Sequence, residues 1–423
     1  MHQFSGCGFR SRPLGVVVTL AVLGLFGPSG SAAALDNKLS ISQYFHDKWT
    51  AEQSLPQNTV YSIVQTIDGY LWLGTWEGVA RFDGARFVTV DSGNTPALRS
   101  NIIQTLMEDR AGDLWIGTRG GGLTHRHAGQ FETLATKDGL PSNFVTALME
   151  DRQHDVWIGT ERGLCRLSHG LVTKFQTADG FPGDSFVHSI VEDRSGVVWI
   201  GTATSGLFSF ANGRLTKRLD ASRAGEVLSL TEDHTGAMWV GTSHGLYSVS
   251  GETVKSYSEL DGLPHDRINA LLEDEAHSLW IGTSGGIARL AGGAISAWTE
   301  ADGLSNNFVH TLKEDREHSI WIGTDGGLDR LRGSKFVPFT RTEGLDNEFV
   351  WAVLPDRHQN ALWLATQAGL FQMTGGRARA VAPEVLRDFD VHALYQDVDD
   401  SLWLGIMKGG LGHYANGRFR LYH

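Results

Sequence analysis

Residues able to do chemistry are scattered along this chain rather than gathered into one signature. His125 and His127 stand two apart in a strand-like stretch and share a face. They are candidate metal ligands, but the sequence places no third donor beside them. Solvent-exposed histidines are the plainer reading, so no metal and no cofactor are expected. Adjacent acids such as Glu108-Asp109 resemble a general acid and base. The same pair recurs at one position of several repeats, however, and neighbouring strand residues face opposite ways. Such recurrence points to a role in the fold. No H-E-x-x-H, P-loop or dinucleotide fingerprint occurs, and the G-x-S-x-G spacing at 241–245 and 282–286 is part of the repeated W-x-G-T turn, so no catalytic residue is assigned. Cys165 lies in the strand-like GLCRLS, where a buried, inert thiol is expected.

What remains is a set of irregular residues just after a repeated W-I-G-T. Trp76, Arg119, Arg162, His244, Asp325 and Lys408 are the candidate ligand-binding residues. Glu77 and Glu161 are their neighbours, with Asn58, Asn101, Asn143 and Asn307 in the connections beside them. An aromatic platform ringed by charges and amides suits a sugar or a small acid.

The elements that must position these residues come from a repeat. Nine tryptophans, Trp72, Trp115, Trp157, Trp199, Trp239, Trp280, Trp321, Trp363 and Trp403, recur every 40–43 residues. A period of that size indicates a solenoid, a propeller or an array, and no amphipathic helical pattern lies between the copies. In the third copy FVTALMED reads as a first strand, VWIGT a second, GLCRLS a third and LVTKFQ a fourth. Four strands per period is the arithmetic of a propeller blade. Composition agrees, with 52 glycines, 13 tryptophans and only 10 prolines in 423 residues. The acid before each second strand starts a turn, its carboxylate expected to accept amides two or three residues on. Each Trp but Trp363, which has Ala365, precedes a Gly by two, so both point the same way. The bare Gly is expected to let the indole lie over its strand and meet the next blade. Burying ~150–250 Å² per indole is worth roughly 4–6 kcal/mol as an upper bound.

The fold class is therefore all-β, a propeller of four-stranded antiparallel blades in nine repeats. ISQYFHDKWTAEQSLPQN, ahead of the first full repeat, matches the outer strand and connection of the other copies. A seven-bladed ring with two surplus blades is the first expectation, and one nine-bladed ring the second.

Residues 1–34 carry Arg10 and Arg12, an apolar run from Leu14 to Phe26, and Ala32-Ala33-Ala34. They read as a signal peptide cut before Leu35, leaving 35–423 as the repeat domain in the periplasm. A net charge of −12 argues against a nucleic-acid surface.

The motif ED-x-x-G-x-LWIGT-x-x-GL-x-R, joined by DGLP-x-N, resembles the two-component regulator propeller family. The opening DKWTAEQSLPQNTVYSIVQTIDGYLWLGTWEGVARFDGARF is similar to the start of such sensors. The resemblance implies a periplasmic sensor region of a histidine kinase or GGDEF-type protein, with the output module absent from this chain. It implies a small-molecule or oligosaccharide ligand and a membrane signalling protein as partner, and leaves a homodimer open. The alternatives are a glycan-active propeller enzyme, since the ED-x-x-G-x-LW turn faintly resembles the Asp-box of sialidases, or a protein-docking scaffold. A sialidase-like enzyme would need an arginine cluster and an acid–base pair across the channel. The sequence shows neither, so binding is favoured over catalysis.

Overall fold

The computed structural model describes residues 35, 39, 41–251, 253–333, 339, 341–345 and 349–422. The expected signal peptide, 1–34, lies outside them. The chain divides after Gly333 into two compact units, and nine four-stranded antiparallel sheets are distributed between them.

In the first unit, seven sheets follow one plan. Sheet one runs through Val60–Gln65, Leu71–Thr75, Gly78–Phe82 and Phe87–Val90, each strand pairing with the next. The third copy forms Val145–Glu150, Val156–Thr160, Gly163–Ser168 and Leu171–Lys174, close to the strands its pattern predicts. Sheet seven supplies three strands from 309–332, and its fourth comes from the other end of the unit. Phe45–Trp49 pairs antiparallel with Leu328–Arg332. Asp47 there takes bonds from the guanidinium groups of both Arg330 and Arg332. Burial pushes the Asp47 carboxyl up, but the two arginines more than reverse it and hold it below its ordinary range. Trp49 stacks on Trp321 at 5.3 Å.

Trp321 of sheet seven in turn packs against Val60, Ile63, Leu71 and Leu73 of sheet one. The ring thus closes at seven, as the first expectation has it. The second unit holds sheets eight (350–380) and nine (391–422).

The packing between successive sheets is one pattern repeated. Trp72 clusters with Ile103, Leu106, Leu114 and Ile116 of sheet two, and Trp157 with Val187, Ile190, Val198 and Ile200 of sheet four. In the ring, the glycine two residues after the Trp has a different job from the expected one. A Cβ on Gly117 would lie 2.8 Å from Val145 Cγ1 in the next sheet, and one on Gly323 would lie 2.7 Å from the Val60 carbonyl. The bare glycine admits the next sheet's inner strand, not the indole of its own.

The recurring acids divide two tasks. In sheets two to seven the turn aspartate accepts the indole N–H of its own Trp at 2.7–2.8 Å. In sheet one Thr66 takes that place. The carboxylate also accepts amides two and four residues on, as Asp151 does from Gln153 and Asp155. The reach is one residue longer than expected because the third turn residue is left-handed, as at His154 with φ 65. The preceding acid reaches the other way. Glu150 accepts the Arg110 amide and Glu192 the Arg152 amide of the sheet before, and Gln65 does so for Arg316 at the closure. Cys165 is buried in the core, which pushes its thiol up to about 12.

No helix among the described residues is long and apolar enough to cross a membrane.

Candidate functional site: the rim of the seven-sheet ring

Two backbone features build the rim. Every inner strand shifts register after its first residue, between Val60 and Ser62 in sheet one and at the equivalent step in the others. Such a bulge leaves one residue outside the ladder and re-aims its side chain. In the ring these residues are Tyr61, Gln104, Thr146, His188, Leu228, Asn269 and His310. The second feature is the turn after W-I-G-T. Its first residue donates its amide to the carbonyl just before the next-door inner strand, as Arg119 does to Ile102, Glu161 to Phe144, Ser243 to Glu226 and Asp325 to Phe308. Turn and bulge are thereby held at the same end of each sheet.

On sheets seven and one these positions converge. The Tyr61 ring stacks on Trp76 at 6.1 Å and meets His310 at 4.3 Å. His310 in turn holds Asp325 at 2.7 Å and lies 4.8 Å from Phe308. Trp76 is 46 % exposed, an indole open to solvent and backed by another ring. Burial pushes the Tyr61 hydroxyl above its usual value, and the Asp325 carboxylate adds to that. Trp76 and the Arg119 charge oppose it. Burial also lowers His310, against the pull of Asp325.

The row continues through sheets two to four. The Arg119 guanidinium lies 5.1 Å from the Phe144 ring centre, Phe144 meets Phe186 edge-on, and Phe186 lies 4.5 Å from His188. His188 Nε2 is buried without a hydrogen-bond partner. Burial lowers this histidine to about 4, Glu226 pulling upward and Arg267 downward. Sheets five and six present a polar stretch instead. Arg267 pairs with Glu226 at 2.8 Å, and the Asn269 amide bonds to Ser284.

Of the residues expected from sequence, Trp76, Arg119 and Asp325 are brought together with Tyr61 as their common neighbour. Arg162 and His244 are exposed and sit one position further along their turns, where Glu161 and Ser243 hold the rim positions. Glu77 shares that outer position. Lys408 is exposed, with φ 58, and belongs to the second unit, so it is no part of this rim. Asn58, Asn101, Asn143 and Asn307 each accept an amide of their own connection at 2.6–2.8 Å, which gives them a bracing role. Tyr61, His188 and His310 were missed. Their signal is present in the repeat: between a constant Val or Ile and a small residue, one position changes type in nearly every copy.

A closed ring of four-stranded sheets with a row of unlike side chains at one end defines a β-propeller. Sequence comparison makes this more specific. The two-component regulator propeller model matches six times, at residues 54–77, 97–120, 139–162, 180–204, 262–285 and 303–326. The chain therefore carries at least six recognisable copies of this repeat. Among curated proteins, none matches its sequence.

Solved structures share the fold. The extracellular domain described as that of a hybrid two component system, BT3049 from B. thetaiotaomicron, aligns with a TM-score of 0.76 and 24 % identity, over 90 % of this chain and 54 % of that one. The extracellular domain described as that of a one component system, BT4673 from the same organism, aligns with a TM-score of 0.58 and 23 % identity, over 90 % and 54 %. The chain thus spans about half the length of these domains. Virginiamycin B lyase from Staphylococcus aureus, solved with quinupristin, aligns at 0.56 and 14 % identity, over 68 % of this chain and 99 % of the lyase.

Proposed function

We propose that the seven-sheet ring is the ligand-binding sensor of an exported signalling protein. It takes a small molecule or oligosaccharide at the rim and reports occupancy to a membrane signalling partner. One observation carries this reading. The ladder-free bulge residue is the position where the repeats stop resembling one another, and in sheets seven and one it gathers Tyr61, Trp76, His310 and Asp325. A structural position would converge on one residue type, as the Trp and its aspartate do. A recognition position has reason to diverge, because each sheet meets a different part of the ligand.

The chemistry fits a sugar-like ligand. An exposed indole backed by a second ring offers an apolar face, while Asp325 and Arg119 offer an acceptor and a fork of donors. Binding without turnover is the role this supports. A calorimetric titration with a panel of oligosaccharides and small carboxylic acids tests it. The expected result is saturable binding to the wild-type chain, weakened about tenfold or more by Trp76→Ala through loss of roughly 1.4 kcal/mol or more. Binding indifferent to Trp76→Ala would refute the rim as the site. Release of a product from any panel member would replace sensing with catalysis.

A further inference from the structure

Sheet two departs from its sister sheets on the side away from the rim. The residue paired across from the sheet's Trp is an arginine in four sheets of the ring, Arg81, Arg166, Arg289 and Arg330, and a serine in two, Ser209 and Ser248. In sheet two it is His125. Two residues on, and on the same face, stands His127. The residue before the Trp strand is Asp113, the counterpart of Asp155, which in sheet three faces Arg166 at 3.5 Å. The positions that in sheet three hold Asp155, Arg166 and Ser168 here hold a carboxylate and two imidazoles.

They converge. His125 Nε2 lies 3.1 Å and His127 Nδ1 2.7 Å from the same Asp113 oxygen. One donor atom from each residue lies within 4.8 Å of the others. Ligands held at about 2.0–2.2 Å from a common ion stand roughly 3–3.5 Å apart, so small rotations of the side chains admit one. The His125 ring is braced face to face on Trp115 at 3.9 Å, which fixes one ligand in advance. Beside His125 opens a groove of about 480 Å³ whose lining includes Asp109, Glu132, Asp138 and Glu150 against the single Lys137. Its charge favours a cation's approach.

We propose that Asp113, His125 and His127 form a divalent transition-metal site. Two imidazoles and one carboxylate favour Zn²⁺, Co²⁺, Ni²⁺ or Cu²⁺ over Mg²⁺ or Ca²⁺, which prefer oxygen donors. Three protein ligands leave coordination positions for water or a further ligand. The site is separate from the rim proposed to bind the sensor's ligand.

The test uses the full chain, free of any histidine tag and stripped with chelator. Zn²⁺ is titrated by calorimetry, and Co²⁺ by its visible absorption. The expected result is a saturable equivalent of Zn²⁺ that His127→Ala weakens about tenfold or more. His127 side chain is 70 % exposed, so that substitution leaves the fold intact, as circular dichroism would verify. Asp113→Asn is expected to weaken binding likewise. His277→Ala supplies the control, since His234, Glu273 and His277 form the other cluster of such donors among the described residues. No saturable uptake, or uptake lost with His277→Ala and unchanged by His127→Ala, would overturn the proposal.

Discussion

In the ring, Trp321 is 1 % exposed, locked between Trp49 and the core of sheet one. In the second unit the equivalent Trp403 is only half-buried, with Tyr395 55 % and Tyr422 48 % exposed around it. Both tryptophans sit in near-identical strands, IWIGT and LWLGI, and both bond the turn aspartate of their own sheet. In the ring six of the seven repeat indoles are buried, each clustered with apolar residues of the following blade, and Trp199 is half-buried. Closure at seven gives every sheet of the ring a following sheet. Within the second unit sheet eight packs on sheet nine, and its Trp363 is half-buried as well.

The comparison can be broken most severely at the closing strand. Deleting residues 35–49 removes Trp49, the Asp47 pairs and one ladder of sheet seven. It should cost the ring roughly 5 kcal/mol or more, read as a lowered urea midpoint with new self-association at the opened edge. An unchanged midpoint would mean that closure contributes little. Next in size, Trp321→Ala should cost about 3–5 kcal/mol, and Trp403→Ala less, since its indole is not fully buried. Equal costs would show that the following sheet is not what stabilises the indole.

A smaller effect sharpens the same point at the glycines. In sheet eight a methyl group is already present at Ala365, fully buried. Gly117→Ala should nevertheless cost about 1–3 kcal/mol in the ring, because its Cβ would lie 2.5 Å from Thr105 Cγ2 and 2.8 Å from Val145 Cγ1. Ala365→Gly in the second unit should cost about 0.5–1 kcal/mol. The smallest effect is on pH. His188 is held down to about 4 in the folded ring, against ~6.5 in the unfolded chain. Between those values the unfolded state binds more protons, so stability rises with pH. It should be complete above pH ~6.5 and decline as pH falls toward ~4. Replacing His188 by Gln should flatten that part of the urea-midpoint profile; an equally steep profile would assign the decline to other groups.

Much of this fold was legible in the residues. The strand-two motif and its period announced the blades, and the spare segment ahead of the first repeat announced a closing strand. The rim was legible only in part. Trp76, Arg119 and Asp325 stand out from the repeat consensus at the first position of their turns. Arg162 and His244 stand out equally, yet lie one residue further on, because charge and irregularity do not reveal which turn position faces the rim. Tyr61, His188 and His310 were hidden for a geometric reason. A strict two-residue alternation assigns each strand residue a face, and a bulge breaks that alternation without any glycine or proline to signal it.

The sequence by itself determined the blade: its four strands, its indole, its turn acid and the number of copies. Those are properties of residues close together along the chain, where alternation and turn chemistry act locally. Only the tertiary structure decided that the copies close at seven, with residues 45–49 meeting residues 328–332. It alone set the bulge residues around Trp76 and brought Asp113 to the two histidines. Each of these depends on how sheets twist and stack through space, and no pattern within a single repeat carries that information.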